Sequence, residues 1–242
     1  MKQLRTDLFF IYILPRFAVI LFIALVLIAM KLYPGGVYHM VNNSGKSMCP
    51  GLSCLHPNHL TDGYLFSKNF LSDLGRTLSH SKENNFHSSL LFNMSLTLAG
   101  FIYILFYIQL VKVFNGKFIS KVGSFLGICG AFCFIGVAFT PADLYLKPHI
   151  FFNLWIFRFF LLSMLIFSWL MYIDKDIDNK YLIGNIVFIL SLIFYILVLS
   201  FGPTPREPGG LEFQTISQKF IMFNFFLSIV IQSAGFKQKI ID

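Results

Sequence analysis

Apolar and polar positions along this chain fall into long blocks, not into short alternations. Six blocks stay apolar for about 20 residues or more: Leu8–Met30, Ser88–Val111, Ile119–Phe139, His149–Met171, Tyr181–Phe201 and Phe213–Ala234. A helix needs roughly 20 such residues to cross a hydrocarbon core about 30 Å thick. Strands of a membrane barrel would instead alternate apolar and polar side chains, and these blocks do not. The pattern therefore predicts an all-α, polytopic membrane protein: a bundle of six transmembrane helices forming one domain over residues 1–242, with one long extracytoplasmic loop at about 31–87.

Turn and packing signals punctuate the blocks. Tyr33-Pro34-Gly35-Gly36 closes the first, and the Pro- and Gly-rich run Gly202–Gly210 separates the last two. Pro15 sits inside the first block, where it predicts a kink, and Arg16 beside it is expected to snorkel toward the cytoplasmic end. Gly123 and Gly127 form a small-xxx-small pair, which lets a neighbouring helix approach closely. Cys129 and Cys133 lie one turn apart in the same block and read as packing residues. Thr140-Pro141-Ala142-Asp143 resembles a helix start, with Asp143 in the capping role. Asp174, Asp176 and Asp178 read as a solvated loop, lacking the Gly and Glu of a calcium loop.

Composition agrees with the blocks: 56% of residues are hydrophobic and only 12% charged, about half the charged share of a soluble domain. The net charge of +8 does not indicate nucleic acid, because the bases are spread through the connections and form no stripe. Their distribution orients the chain. With Lys2, Arg5, Lys112, Lys117, Lys121, Lys175, Lys180, Lys237 and Lys239 on one side, the short loops opposite carry only Lys147 and Arg206. The positive-inside rule then places both termini in the cytoplasm of a multi-pass cell-membrane protein. The first block is too long for a signal-peptide core and reads as a retained anchor.

The candidate chemistry lies on the side opposite the termini. Cys49 and Cys54 suggest a disulfide in the long loop, with free thiols or a metal site shared with His56 and His59 as alternatives. Asn69–Thr77 mixes apolar residues with Ser72, Asp73, Gly75 and Arg76; it either lies along the membrane surface or dips into the bundle, with Ser72 or Asp73 as a helix cap. Arg158 lies nine residues beyond His149, roughly 13 Å deep. A charge at that depth costs at least about 2.5–3.5 kcal/mol on insertion scales and calls for a partner. None of the eleven acidic residues lies well inside a block. One reading makes Arg158 a structural strut. The other gathers Asp73, Arg76, Asp143, His149, Arg158 and Lys219 into a polar pocket open to the outer leaflet, suited to a lipid headgroup, a small amphiphile or an anion.

Several short segments carry a resemblance: Tyr33-Pro34-Gly35, Asn69-Phe70-Leu71-Ser72-Asp73-Leu74-Gly75, Leu91-Phe92-Asn93, and Gly136-Val137-Ala138-Phe139-Thr140-Pro141 with His149. With these the chain resembles the prokaryotic integral membrane proteins of domain of unknown function 998. That resemblance implies a helical bundle of this size and no established activity. Residues Tyr38–Tyr64, with their cysteines and histidines, are an insertion relative to its pattern. A weaker likeness is to multispan hydrolases related to alkaline ceramidases, which bind zinc through several helix-borne histidines; here only His87 and His149 border a span.

Three functions are therefore open at the level of sequence. The first is a membrane protein that binds or moves a lipid, small amphiphile or anion, with Arg76, Arg158 and Lys219 as ligand-binding residues. The second is a structural or accessory subunit. The third is a membrane-embedded hydrolase or transferase using Asp73, Asp143 and His149, with the histidine as base. Membrane lipids are the expected partners in all three.

Overall fold

A computed structural model describes residues 2–38 and 63–241. The loop cysteines and histidines proposed for a disulfide or metal site, Cys49, Cys54, His56 and His59, lie outside the described residues.

The chain runs through α1 (Lys2–Leu8), a π-helical turn (Phe9–Ile13) and α2 (Leu14–Leu32), which together make the first span. A 3₁₀ turn (Leu71–Gly75) follows, then α3 (Phe86–Val113), α4 (Phe118–Ala138), α5 (Leu146–Ile173), a second 3₁₀ turn (Asn179–Tyr181), α6 (Leu182–Phe201) and α7 (Gly210–Ile241). Among the described residues six helices are long and apolar enough to cross a membrane, as the blocks predict. Each packs against the next, and α7 closes on α1, the π turn and α2, completing a ring. Both chain ends thus share one face of the bundle, the termini face.

The π turn has a local cause. Pro15 lacks an N–H and cannot continue the ladder to the preceding turn. The backbone widens over Phe9–Ile13 just before it. Arg16 then reaches α7, where Nε donates to Ser233 Oγ (3.0 Å) and Nη2 to the Val230 carbonyl (2.6 Å). Its guanidinium lies over the Tyr12 ring. The two ends of the chain are thereby fastened together.

α4 packs tightly on both sides through its glycines. A side chain at Gly123 would strike Ile166 and Phe167 of α5, and one at Gly127 would strike the Tyr107 ring of α3. The Gly123 carbonyl also accepts from Ser163 Oγ at 2.8 Å. The pair thus serves two neighbours, not one. Cys129 and Cys133 are free thiols on the same helix, half-buried and buried.

At mid-height the bundle axis is filled by aromatic rings. Phe225 of α7 sits 5.2 Å from Tyr103 of α3, 5.8 Å from Phe134 of α4, 5.2 Å from Phe160 of α5 and 5.3 Å from Phe188 of α6, measured between ring centroids. These separations fall within the range for favourable aromatic pairs. The plug divides the interior into a half toward the termini and a half toward the opposite, cap face.

On the termini face, Lys239 of α7 holds the α5–α6 connection. Its Nζ lies 2.7 Å from Asp174 and 3.1 Å from Asp176. Asp174 and Lys239 are almost buried. The reading of this acidic run as a wholly solvated loop is corrected for Asp174; its position at a helix C-terminus, within reach of a late lysine on α7, was not visible in the run itself.

Candidate functional site

The residues between Gly63 and Asn85 form a cap over the bundle. They lack a regular ladder of their own, so their backbone groups need other partners. Side chains from the surrounding helices supply them. Gln218 Oε1 accepts from the Leu71 amide (2.8 Å) and Lys219 Nζ donates to the Asn69 carbonyl (2.6 Å), both from α7. Thr215 Oγ1 donates to the Ser67 carbonyl. Asn85 Nδ2, at the start of α3, donates to the carbonyls of Leu74 (3.0 Å) and Arg76 (2.9 Å). Non-helical backbone at membrane depth is tolerated where protein covers it. Leu71, Asp73, Leu74 and Gly75 are buried, so this segment dips into the bundle and does not lie along its surface.

Asn69 organises the cap. It is fully buried. Its Oδ1 accepts from the Leu65 amide and its Nδ2 donates to the Gly36 carbonyl, each at 2.8 Å. Its own carbonyl receives Tyr64 Oη and Lys219 Nζ. Gly36 has φ +83°, and a side chain there would meet the Ser81 backbone, so only glycine suits this crossing of two loops.

Asp73 caps the 3₁₀ turn, accepting from the Phe70 amide at 2.8 Å. Its other oxygen accepts from His80 Nε2 at 3.1 Å. Both side chains are nearly buried, 8% and 9% exposed. Tyr33 Oη accepts from the His80 amide. Burial, and after it the Asp73 charge, push the phenols of Tyr33 and Tyr64 well above their ordinary range. His80 is the residue that sequence reasoning missed. It lies in a polar stretch with no periodicity, and only the fold brings it back to Asp73.

Asp143 does not cap a helix at Thr140-Pro141, as its spacing predicts. Residues 141–145 form a turn, α5 begins at Leu146, and the carboxylate accepts from the Thr77 hydroxyl and from the amides of Thr77 and Leu78. It fastens the α4–α5 connection to the cap. Burial raises its pKa, but these hydrogen bonds outweigh burial and hold it below the usual carboxylate value. A pKa lowered by folding contributes stability that is present above the unfolded value, roughly pH 4, and lost as pH falls through the folded value. Thermal melts of the purified protein between pH 6 and pH 3 should show that acid loss. Asp143→Asn should flatten the loss and lower stability at neutral pH by about 1.5–3 kcal/mol, the range for hydrogen bonds to a charged group.

His149 is buried at the start of α5. Its Nδ1 donates to the Thr140 carbonyl at 2.7 Å, which fixes the tautomer. The structure places Asp73, Asp143 and His149 around the same end of the bundle. Each is hydrogen-bonded to a different partner: His80, Thr77 with Leu78, and Thr140. Among the described residues no three His, Cys, Asp or Glu side chains form a group able to hold a metal ion.

The three candidate cations do not converge. Arg76 is half-buried and bonds to the Leu78 carbonyl. Lys219 is buried, with Asn69 and Thr215 carbonyls as acceptors and the rings of Tyr64 and Phe66 at 5.6 and 5.0 Å. Arg158 donates to the Leu154 carbonyl of its own helix and lies over the Trp155 ring.

Beneath the cap, above the aromatic plug, lies a narrow cavity of about 40 Å³. Its walls are apolar, with Phe22, Phe92, Phe134 and Phe157 among them. Three polar side chains line it: Ser72 from the cap, Asn153 from α5 and Gln218 from α7. Among the described residues no charged side chain does.

Neither a curated protein nor a solved structure matches this chain. A family model described as protein of unknown function (DUF998) matches residues 52–228. Among the segments that carry the resemblance, 69–75, 91–93, 136–141 and His149 fall inside that range, and Tyr33-Pro34-Gly35 precedes it. The match spans well over half of a chain folded as six membrane-length helices, and this protein is a member of the DUF998 family.

Proposed function

We propose that the protein binds a small uncharged amphiphile in the cavity beneath the cap. The observation that carries this reading is the lining: apolar walls meeting one hydroxyl and two carboxamides, with no charged side chain among the described residues. Binding sites commonly join apolar surface to a few placed polar groups; at about 40 Å³ the closed cavity holds only a few waters, so an amphiphile is taken in as the cap and the helices beside it part. Such a lining suits an alkyl or isoprenoid body with a hydroxyl, ester or amide head. It penalises an anion, because among the described residues no positive charge in the wall offsets the loss of water. The cavity is narrow, so entry goes with a lift of the cap at its contacts with Gln218 and Lys219. The aromatic plug at Phe225 favours binding from one side over passage through the bundle. A hydrolase or transferase at Asp73, Asp143 and His149 has less support, since each group is engaged by a structural partner.

Native mass spectrometry of the purified full chain tests this, with monooleoylglycerol, oleate and inorganic phosphate offered separately. Retention of monooleoylglycerol over both anions is the expected result. Val137→Trp, which fills the cavity from α4, should abolish retention while the protein still melts cooperatively. Equal retention of all three, or retention unchanged in Val137→Trp, overturns the proposal.

A further inference from the structure

The outward face of α5 carries an arginine where lipid would be expected. Phe151, Trp155, Leu162, Leu165, Trp169 and Tyr172 are all exposed there, and half-buried Arg158 completes the series. The spacing alternates between four and three residues, the period of a helix-packing seam. Arg158 lies twelve residues from the start of α5 and fifteen from its end, roughly 18 and 22 Å, so it sits near mid-depth. Among the described residues one of the five guanidinium N–H donors finds an acceptor, the Leu154 carbonyl. The Trp155 ring lies beneath the group at 5.7 Å. Among the described residues no carboxylate reaches it.

The depth narrows what the partner is. Lipid phosphates lie beyond a core about 30 Å thick, so roughly 15 Å from mid-depth on either side, farther than an arginine side chain extends. The nine acidic side chains among the described residues lie in connections or near span ends. From its described residues a second copy therefore brings no matching carboxylate. We infer that this face of α5 docks a transmembrane helix of a different polypeptide, one that carries an aspartate or glutamate near its midpoint. Arg158 pairs with that carboxylate inside the membrane, the Trp155 ring packs beside the pair, and Trp169 extends the seam roughly 16 Å farther along α5. Intramembrane charges pair with one another in this way. The inference is independent of the cavity, which Arg158 does not line.

The only two tryptophans of the chain stand on this face, which supplies an intrinsic probe. The full chain is reconstituted in phosphatidylcholine vesicles and titrated with dansyl-labelled, leucine-rich transmembrane peptides. The readout is energy transfer from tryptophan. A peptide with one central glutamate should bind at least ten-fold more tightly than its all-leucine counterpart. Moving the glutamate seven residues toward one end should remove the advantage. Arg158→Gln should remove it too, and Arg158→Lys should keep most of it, with circular dichroism checking the helix content of both. Equal binding of the glutamate and leucine peptides overturns the inference, as does an advantage that survives Arg158→Gln. Displacement of the glutamate peptide by phosphatidylglycerol, in wild type and not in Arg158→Gln, would assign the site to an anionic lipid and equally overturn it.

Discussion

Phe225→Ala should destabilise the protein by about 3–5 kcal/mol, the range for removing a buried phenylalanine. Rings from α3, α4, α5 and α6 meet this one side chain, so no single neighbour can fill the space by a rotamer change. For a chain of this size each kcal/mol lowers the melting temperature by roughly 2–4 °C. Thermal unfolding of the purified protein should therefore fall by about 6–20 °C. Phe225→Leu should recover more than half of that loss, because the cavity left behind is smaller. A fall of under 2 °C for the alanine variant would mean that the axis is not held by this plug. The one-sided binding reading would then lose its floor.

The six spans were legible because lipid imposes a demand on every residue of a crossing helix. Twenty apolar side chains in a row are hard to produce for another reason, and their ends fall near the helix ends observed. The ring closure of α7 on α2 was not legible. It depends on Arg16 finding Ser233 and Val230, a contact across most of the chain. The candidate site was legible in part. Asp73 and Lys219 stood out as charges in apolar company, and both proved to be cap-holding groups. Their actual partners are a histidine, a backbone amide and two carbonyls. Carbonyl partners leave no trace in a sequence, since every residue has one. Asp143 illustrates the same limit. Its spacing to Thr140 fits a cap, yet Thr77 and Leu78 offer three donors from another loop and outcompete the local arrangement. The cavity is carried by Ser72, Asn153 and Gln218, which are ordinary hydrogen-bonding residues until the helices place them around one space.

Asn69→Ala should be the variant that separates the cap from the rest of the molecule. The side chain bridges the Leu65 amide and the Gly36 carbonyl, in a position with no exposure to water. Alanine leaves the Gly36 carbonyl buried and unpaired, at about 1–3 kcal/mol, and the part-buried Leu65 amide unpaired at less than that, so a loss of about 2–5 kcal/mol is expected. That loss should be local. The helices below are held by aromatic packing and by glycine contacts that Asn69 does not touch. Limited proteolysis should show faster cleavage between residues 63 and 85 while circular dichroism retains the wild-type helix signal. If the cap is also the door to the cavity, the same variant should exchange monooleoylglycerol faster than wild type, with uptake and release both accelerated. A cap that loosens without changing exchange would place the entrance elsewhere, between α-helices at the lipid face. Loss of helix signal in step with cap cleavage would mean that cap and bundle unfold as one unit, and that the contacts of Gln218, Lys219 and Asn85 carry more of the fold than the aromatic plug does.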